Sequence, residues 1–116
     1  MLPKKRRIEK KEFKYIISKG KRLNSDNLLL YIAKIDQKNI PKVSRFSFSV
    51  SKKVCKNAVD RNRLRRVGYS IIEKNIEKII EKHLLFFVFK KNIISVKFDI
   101  LEKEVLELLS NALMLI

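Results

Sequence analysis

The period of the hydrophobic positions changes several times along this chain, and each change marks an element. Within residues 8–19, IEKKEFKYIISK, the side chains Ile8, Phe13, Ile16 and Ile17 recur at helical spacing, and Gly20 supplies a C-terminal stop. Residues 27–35, NLLLYIAKI, are rich in branched and aromatic side chains and predict a strand. Residues 36–42, DQKNIPK, read as a loop around Pro41. Residues 43–51 then alternate, with Phe46, Phe48 and Val50 on one face and Arg45, Ser47, Ser49 and Ser51 on the other. The first face belongs to a core. The second is small and polar, and open enough for a ligand to approach.

After SKKVCKN a helix should begin near Ala58, with Leu64, Val67 and Ile71 as its apolar stripe. Ile72, Ile76, Ile79 and Ile80 continue the stripe with drift, which predicts a bend or break near Lys74 and Asn75. Glu73, Glu77 and Glu81 interleave with Lys74, Lys78 and Lys82 as an exposed ion-paired face. Residues 84–89, LLFFVF, are apolar on both parities and suit a central strand covered on both sides. A basic connection of undefined form follows over 90–98. Asp99 with Glu102 then resembles a capping box ahead of a helix carrying Leu101, Val105, Leu108, Leu109, Ala112 and Leu113. The order is α-β-β-α-β-α: an α/β (α+β) two-layer sandwich, with three helices on a small mixed sheet of three to four strands. Residues 1–116 read as one domain.

Charge changes the picture most. The chain has 28 basic and 12 acidic residues, a net charge of +16. Such repulsion opposes compactness unless a polyanion neutralises it, and nucleic acid is the first expectation. A 46% hydrophobic content with 2 Gly and 2 Pro excludes a low-complexity class. No apolar run approaches the roughly 18 residues of a spanning helix, and MLPKKRRIEKKEF lacks a signal-peptide apolar stretch. A cytoplasmic protein with no membrane partner is expected.

The basic residues concentrate where the strand ends and the helix begins: Lys52, Lys53, Lys56, Arg61, Arg63, Arg65 and Arg66, against Asp60 alone. A strand–loop–helix junction holds its charges at fixed positions, as recognition of a folded polyanion requires. At 100° per residue Arg61 and Arg65 form one row and Asn62 and Arg66 the next, while Leu64 and Val67 turn inward. Arginine's planar fork bridges phosphates. A second surface is suggested by Phe13 and Ile17 on one helix face and Tyr31 in the first strand, beside Ser49, Ser51, Lys52 and Lys53. Aromatic side chains beside lysines make a platform for single strands. Read from the residues alone, the core is the favoured place for them, because aromatics at helical spacing usually belong there.

Catalysis by this polypeptide is not expected. Asp26, Asp36, Asp60 and Asp99 are dispersed, and His83 is the 1 histidine, so neither a metal-holding carboxylate cluster nor a histidine pair is present. His83 ends a charged helical stretch and reads as a solvated or capping residue. Cys55, the 1 cysteine, excludes a disulfide framework and reads as an ordinary loop thiol.

SVSKKVCKNAVDRNRLRR closely resembles the signature of the bacterial ribonuclease P protein subunit: Ser51-Lys52-Lys53 closing a strand, a loop, Ala58, then Arg61-Asn62-Arg63 and Arg65-Arg66. EFKYIISKGKR resembles that family's first helix, and the order of elements agrees over essentially the whole chain. Three positions depart from the pattern. Cys55 stands where many members carry Gly, in what matches a longer loop variant; Ile17 replaces a second aromatic, and Ser47 a common Gly.

The resemblance implies a left-handed βαβ crossover, against the right-handed general rule. It implies that catalysis, with Mg²⁺, belongs to a ribonuclease P RNA that holds most of that metal, with none bound by the protein alone. It assigns Lys56, Arg61, Asn62, Arg63, Arg65 and Arg66 to that RNA. Phe13, Ile17, Tyr31, Ser49, Lys52 and Lys53 would face the single-stranded 5′ leader of precursor tRNA, and no obligate protein partner is implied. The runner-up is a structural RNA-binding protein, ribosomal or an assembly factor, without precursor-tRNA preference. A transcription factor is third, since no helix-turn-helix spacing is evident.

Overall fold

A computed structural model describes residues 2–35 and 43–116. The loop expected over 36–42 lies outside the described residues. The elements are α1 (Glu12–Lys19), β1 (Lys21–Asn24), β2 (Leu28–Lys34), β3 (Arg45–Ser49), α2 (Ala58–Asn75), β4 (His83–Phe89) and α3 (Phe98–Asn111). The strands form a 4-stranded sheet in the order β1-β2-β4-β3. β2 pairs antiparallel with both β1 and β4, while β3 and β4 run parallel and are joined through α2. β4 is central, as its continuous apolar run requires.

Alternation decides what each face of the sheet carries. Leu28, Leu30 and Ile32 of β2, Phe46 and Phe48 of β3, and Leu85, Phe87 and Phe89 of β4 point to one face and are buried. Their partners come from α2 (Leu64, Ile71, Ile72) and α3 (Leu101, Val105, Leu108, Leu109). Each such side chain contributes roughly 1.5–3 kcal/mol on burial. Phe48 stacks on Phe87 at 4.7 Å between centroids, and a Cβ at Gly68 would stand 2.5 Å from the Phe48 ring. Glycine at 68 therefore sets how closely α2 approaches the sheet. α1 packs on the opposite face through Ile16, which lies against Ala33 and Leu84.

Several local expectations need correction. The first helix begins at Glu12, not at residue 8. Arg7 instead bridges Phe46, and the Ile8 amide donates to the Phe46 carbonyl at 3.2 Å, because the outer edge of β3 needs pairing more than a short helix needs another turn. β1 is an unanticipated strand: KRLN is short and charged, and its order comes from pairing with β2. Asp99 is not a helix cap. The cap position of α3 is Lys97 with no side-chain cap, Asp99 bonds the neighbouring Ile100 amide, and Glu102 instead receives Lys74 Nζ at 3.1 Å and Asn75 Nδ2 at 3.0 Å from α2. His83 opens β4 rather than closing a helix. The expected break near Lys74 and Asn75 is present, with α2 ending at Asn75 and a 3-10 turn over Ile76–Lys78.

Candidate nucleic-acid interface

α2 starts where the sequence places it because Asn57 caps it, its Oδ1 accepting from the Val59 amide at 2.9 Å. Leu64 is buried against the sheet, which turns Asn62, Arg63 and Arg66 to solvent with Arg65 half-buried beside them. The predicted arginine-covered face exists, but its members differ. Arg61 folds back, donating Nη1 to the carbonyls of Cys55 at 2.9 Å and Lys56 at 2.8 Å, so it braces the loop. Arg65 Nη2 donates to Asn62 Oδ1, tying the two side chains together. Arg63 and Arg66, with Lys52, Lys53 and Lys56, are exposed, and among the described residues no acid neutralises them. A cavity of about 430 Å³ opens between Arg7, Asn62, Arg65, Arg66 and Tyr69. Sequence reasoning missed Arg7 and Tyr69. Tyr69 lies at i+4 and i+3 from Arg65 and Arg66, a signal that was there to read; Arg7 arrives only through the β3 edge pairing.

Cys55 is a free thiol of the basic loop, and the structure adds its burial. It is 2% exposed and joins the core, because the loop folds back with the Val54 and Cys55 amides donating to the Ser51 carbonyl at 3.1 and 3.0 Å. The basic loop is thus a built turn with an apolar underside.

The second surface is the far face of the sheet. The strand registers arrange it in three cross-strand rows: Arg45–Leu84–Ala33, Ser47–Phe86–Tyr31–Arg22, and Ser49–Val88–Leu29–Asn24. α1 covers the first row; Ser47, Phe86, Tyr31, Ser49, Val88 and Leu29 in the other two are only half-buried. Phe13 of α1 meets Phe86 edge-on at 4.9 Å, and Tyr31 stacks with Phe86 at 6.0 Å. Phe86 is thereby the floor of an aromatic cleft walled by α1. The sequence reading had covered β4 on both sides and so overlooked it. Ile17 is 58% exposed, one turn beyond Phe13 on the same helix. Ser49 leads out of β3 to Lys52 and Lys53, so the cleft and the α2 surface meet at the basic loop.

One residue of the small polar face departs from its expectation. Arg45 is not open to a ligand: it is 6% exposed and pairs with Glu12 Oε1 at 2.9 Å, while the Glu9 amide donates to the same oxygen at 2.7 Å. Buried charge must be paired, and this pair fixes the first turn of α1 and with it Phe13. Other acids are also held away from the two surfaces. Burial raises the Glu81 carboxyl, but hydrogen bonds from Arg6 and Ser44 outweigh this and hold it below its ordinary range.

A half-covered mixed sheet with an aromatic floor, joined through a basic loop to an arginine helix, defines a small α+β nucleic-acid-binding protein. Known proteins narrow this. The family model described as Ribonuclease P matches residues 2–113. The ribonuclease P protein component of Microcystis aeruginosa is 30% identical over 112 residues, 96% of this chain and 93% of that protein. The corresponding component of Syntrophomonas wolfei is 31% identical over 113 residues, 97% and 91% of the two chains. Among solved structures, the Thermotoga maritima RNase P protein superposes with a TM-score of 0.78 at 24% identity, covering 90% of this chain and 96% of that one. The Staphylococcus aureus RNase P protein superposes at 0.79 with 22% identity, covering 92% and 94%, and both show the same fold. The chain belongs to the ribonuclease P protein family, the protein component of the endoribonuclease of tRNA 5′ maturation.

Proposed function

We propose that this chain assembles with a ribonuclease P RNA through α2 and its preceding loop, and receives the 5′ leader of precursor tRNA in the cleft under α1. The RNA contacts are Lys56, Arg61, Asn62, Arg63, Arg65 and Arg66; Arg61 acts through the loop it braces, and the others through phosphates. The leader contacts are Phe13, Ile17, Tyr31, Ser49, Lys52 and Lys53, and we add Phe86 because its ring meets those of Phe13 and Tyr31. The carrying observation is the meeting of the two surfaces at Lys52 and Lys53, which lets one protein touch the catalytic RNA and a single strand leaving it. Bond hydrolysis and its Mg²⁺ belong to the RNA in this reading. The protein offsets repulsion between two RNAs, lowers the Mg²⁺ requirement and lengthens the substrate contact. Among the described residues no helix is long and apolar enough to cross a membrane, and action in the cytoplasm is part of the proposal.

Reconstitution tests it. The purified chain, mixed with a bacterial ribonuclease P RNA at low Mg²⁺, should give 5′ cleavage of precursor tRNA that neither component gives alone. Tight RNA binding without stimulation of a competent RNA would favour a structural RNA-binding role. Cleavage by the protein alone would place an active site in the chain.

A further inference from the structure

A third basic site lies at the other end of the sheet. β3 and β4 run parallel, so the basic loop after Ser49 follows the Val88 end of β4, whereas His83 opens β4 at the opposite end. At about 3.3 Å per residue the two ends are roughly 20 Å apart. There a cavity of about 390 Å³ is bounded by Lys19, Lys21, Lys34 and His83, with Leu113 and Met114 among its apolar lining. That volume lies at the lower end of the roughly 300–1,000 Å³ range of small-molecule sites.

The cations come from α1, β1 and β2, so it is the fold that brings them together. Lys19, Lys21 and Lys34 are exposed, and among the described residues no acid pairs with them. His83 Nδ1 stands 2.9 Å from the Glu81 carbonyl oxygen, which can only accept, so Nδ1 carries a proton and Nε2 is left to accept from a donor such as a hydroxyl. The apolar component is equally placed. Leu113 has φ 59 and closes α3 by donating its amide to the Ser110 carbonyl at 3.0 Å, which leaves its side chain 82% exposed. A left-handed leucine is costly and arises here only because the backbone must turn. Cations at the rim and aliphatic surface beside them match the two halves of a nucleotide, a phosphate and a sugar–base face. A bare anion has no use for the second.

We propose that this cavity binds one nucleotide of an RNA strand, its phosphate on Lys19, Lys21 and Lys34, a ribose hydroxyl donating to His83 Nε2, and its sugar–base face against Ala112 and Leu113. The choice of RNA as the polymer rests on the reading of α2 and the cleft above. The site adds a contact at the end of the sheet opposite the basic loop.

His83 is the 1 histidine in the chain, so its imidazole Cε1–H signal reports on the cavity without ambiguity in the NMR spectrum of the full chain. A short single-stranded oligoribonucleotide, adenosine 5′-monophosphate and inorganic phosphate would be titrated at fixed ionic strength. The His83 ring and the Ala112 and Leu113 methyls should shift saturably with the oligoribonucleotide and the nucleotide. Combining Lys19→Gln, Lys21→Gln and Lys34→Gln, all at exposed positions, should raise the midpoint by about ten-fold while the Arg63 and Arg66 signals respond as before. Silent His83 and Leu113 signals while α2 responds would overturn the proposal and leave the α2 reading standing. An unchanged midpoint in the triple variant, or saturation by inorganic phosphate but not by nucleotide, would overturn it too. Silence of both regions to the oligoribonucleotide would overturn it together with the RNA-binding reading.

Discussion

The arginine face of α2 and the cleft under α1 meet at one loop, yet they are built on opposite principles. On α2 a buried apolar stripe fixes the helix, and the charges stand outside it on exposed side chains such as Arg63 and Arg66. In the cleft the working groups are themselves held by packing: Phe13 against Phe86, Tyr31 on Phe86, and Arg45 in a buried pair with Glu12. A charged surface tolerates imprecision because phosphates attract over several ångströms. A stacking surface does not, so it needs an anchor, and Arg45–Glu12 is that anchor. Damage should therefore spread through the cleft and stay local on α2.

The largest expected effect tests the anchor. Glu12→Gln removes the nearer and buried carboxylate of the Arg45 guanidinium, at 2.9 Å, and leaves it only the half-exposed Glu9 Oε1 at 3.6 Å; breaking a buried pair costs about 3–5 kcal/mol. Urea unfolding should show that loss as a lower midpoint at unchanged slope. A loss below about 1 kcal/mol would mean that the pair is not what holds α1 to the sheet.

The next effect separates the surfaces by substrate. Phe86→Ala and Phe13→Ala should each weaken binding of leader-bearing precursor by about 1–3 kcal/mol, as loss of a stacked base does, and leave mature tRNA almost untouched. Phe86→Leu, which keeps the sheet packed, should reproduce the binding loss with less effect on stability. Equal losses for precursor and mature tRNA would end the cleft assignment. On α2, Arg63→Ala or Arg65→Ala should weaken assembly with the catalytic RNA and flatten the dependence of log K on log salt by about one each. An unchanged slope for both would take the helix out of the interface.

The same contrast explains what could be read in advance. The residues of α2 announce themselves through a run of charge in register with an apolar stripe, and both signals are local. The alternation in β3 and the apolar run of β4 are local too, and they gave the layers and the central strand. The cleft floor is not local. Phe86 is exposed to it only because α1 is short and stops one row along the sheet, a property of packing that LLFFVF does not encode. Arg45 looked like part of an open polar face because alternation assigns a side chain to a face without saying what covers it, and Glu12 arrives from another element. β1 is ordered by its neighbour and has no signal of its own. The burial of Cys55 had no signal in the sequence because it depends on how the loop folds under itself.

The smallest expected effect concerns acid, and on the cleft side it can be followed at one turn. The turn joining β1 to β2 is clamped by Glu104 of α3, which accepts from Ser25 Oγ, from the Asn27 amide at 2.8 Å and from Asn27 Nδ2 at 2.7 Å. That turn sets the edge strand carrying Arg22 and Asn24 beside Tyr31 and Leu29. Burial raises the Glu104 carboxyl, but the hydrogen bonds from Ser25 and Asn27, helped by Lys90, outweigh it and hold the group below its ordinary 4.5. A carboxylate depressed on folding stabilises the fold at pH above its unfolded value, and the contribution disappears as pH falls through the folded one. Stability should therefore fall on acidification below about 4.5, and Glu104→Gln should make that fall shallower by removing the titrating group. Glu81 and Glu102, the latter bonded to the last turn of α2, are also depressed and remain in the variant, so part of the acid dependence should persist. Amide exchange followed across the same pH range should show Ser25 and Asn27 losing protection before the first turns of α2, where Asn57, a group that does not titrate, provides the cap. Simultaneous loss in both places would mean that the turn and the helix unfold as one unit, and the cleft edge would then have no local stability of its own.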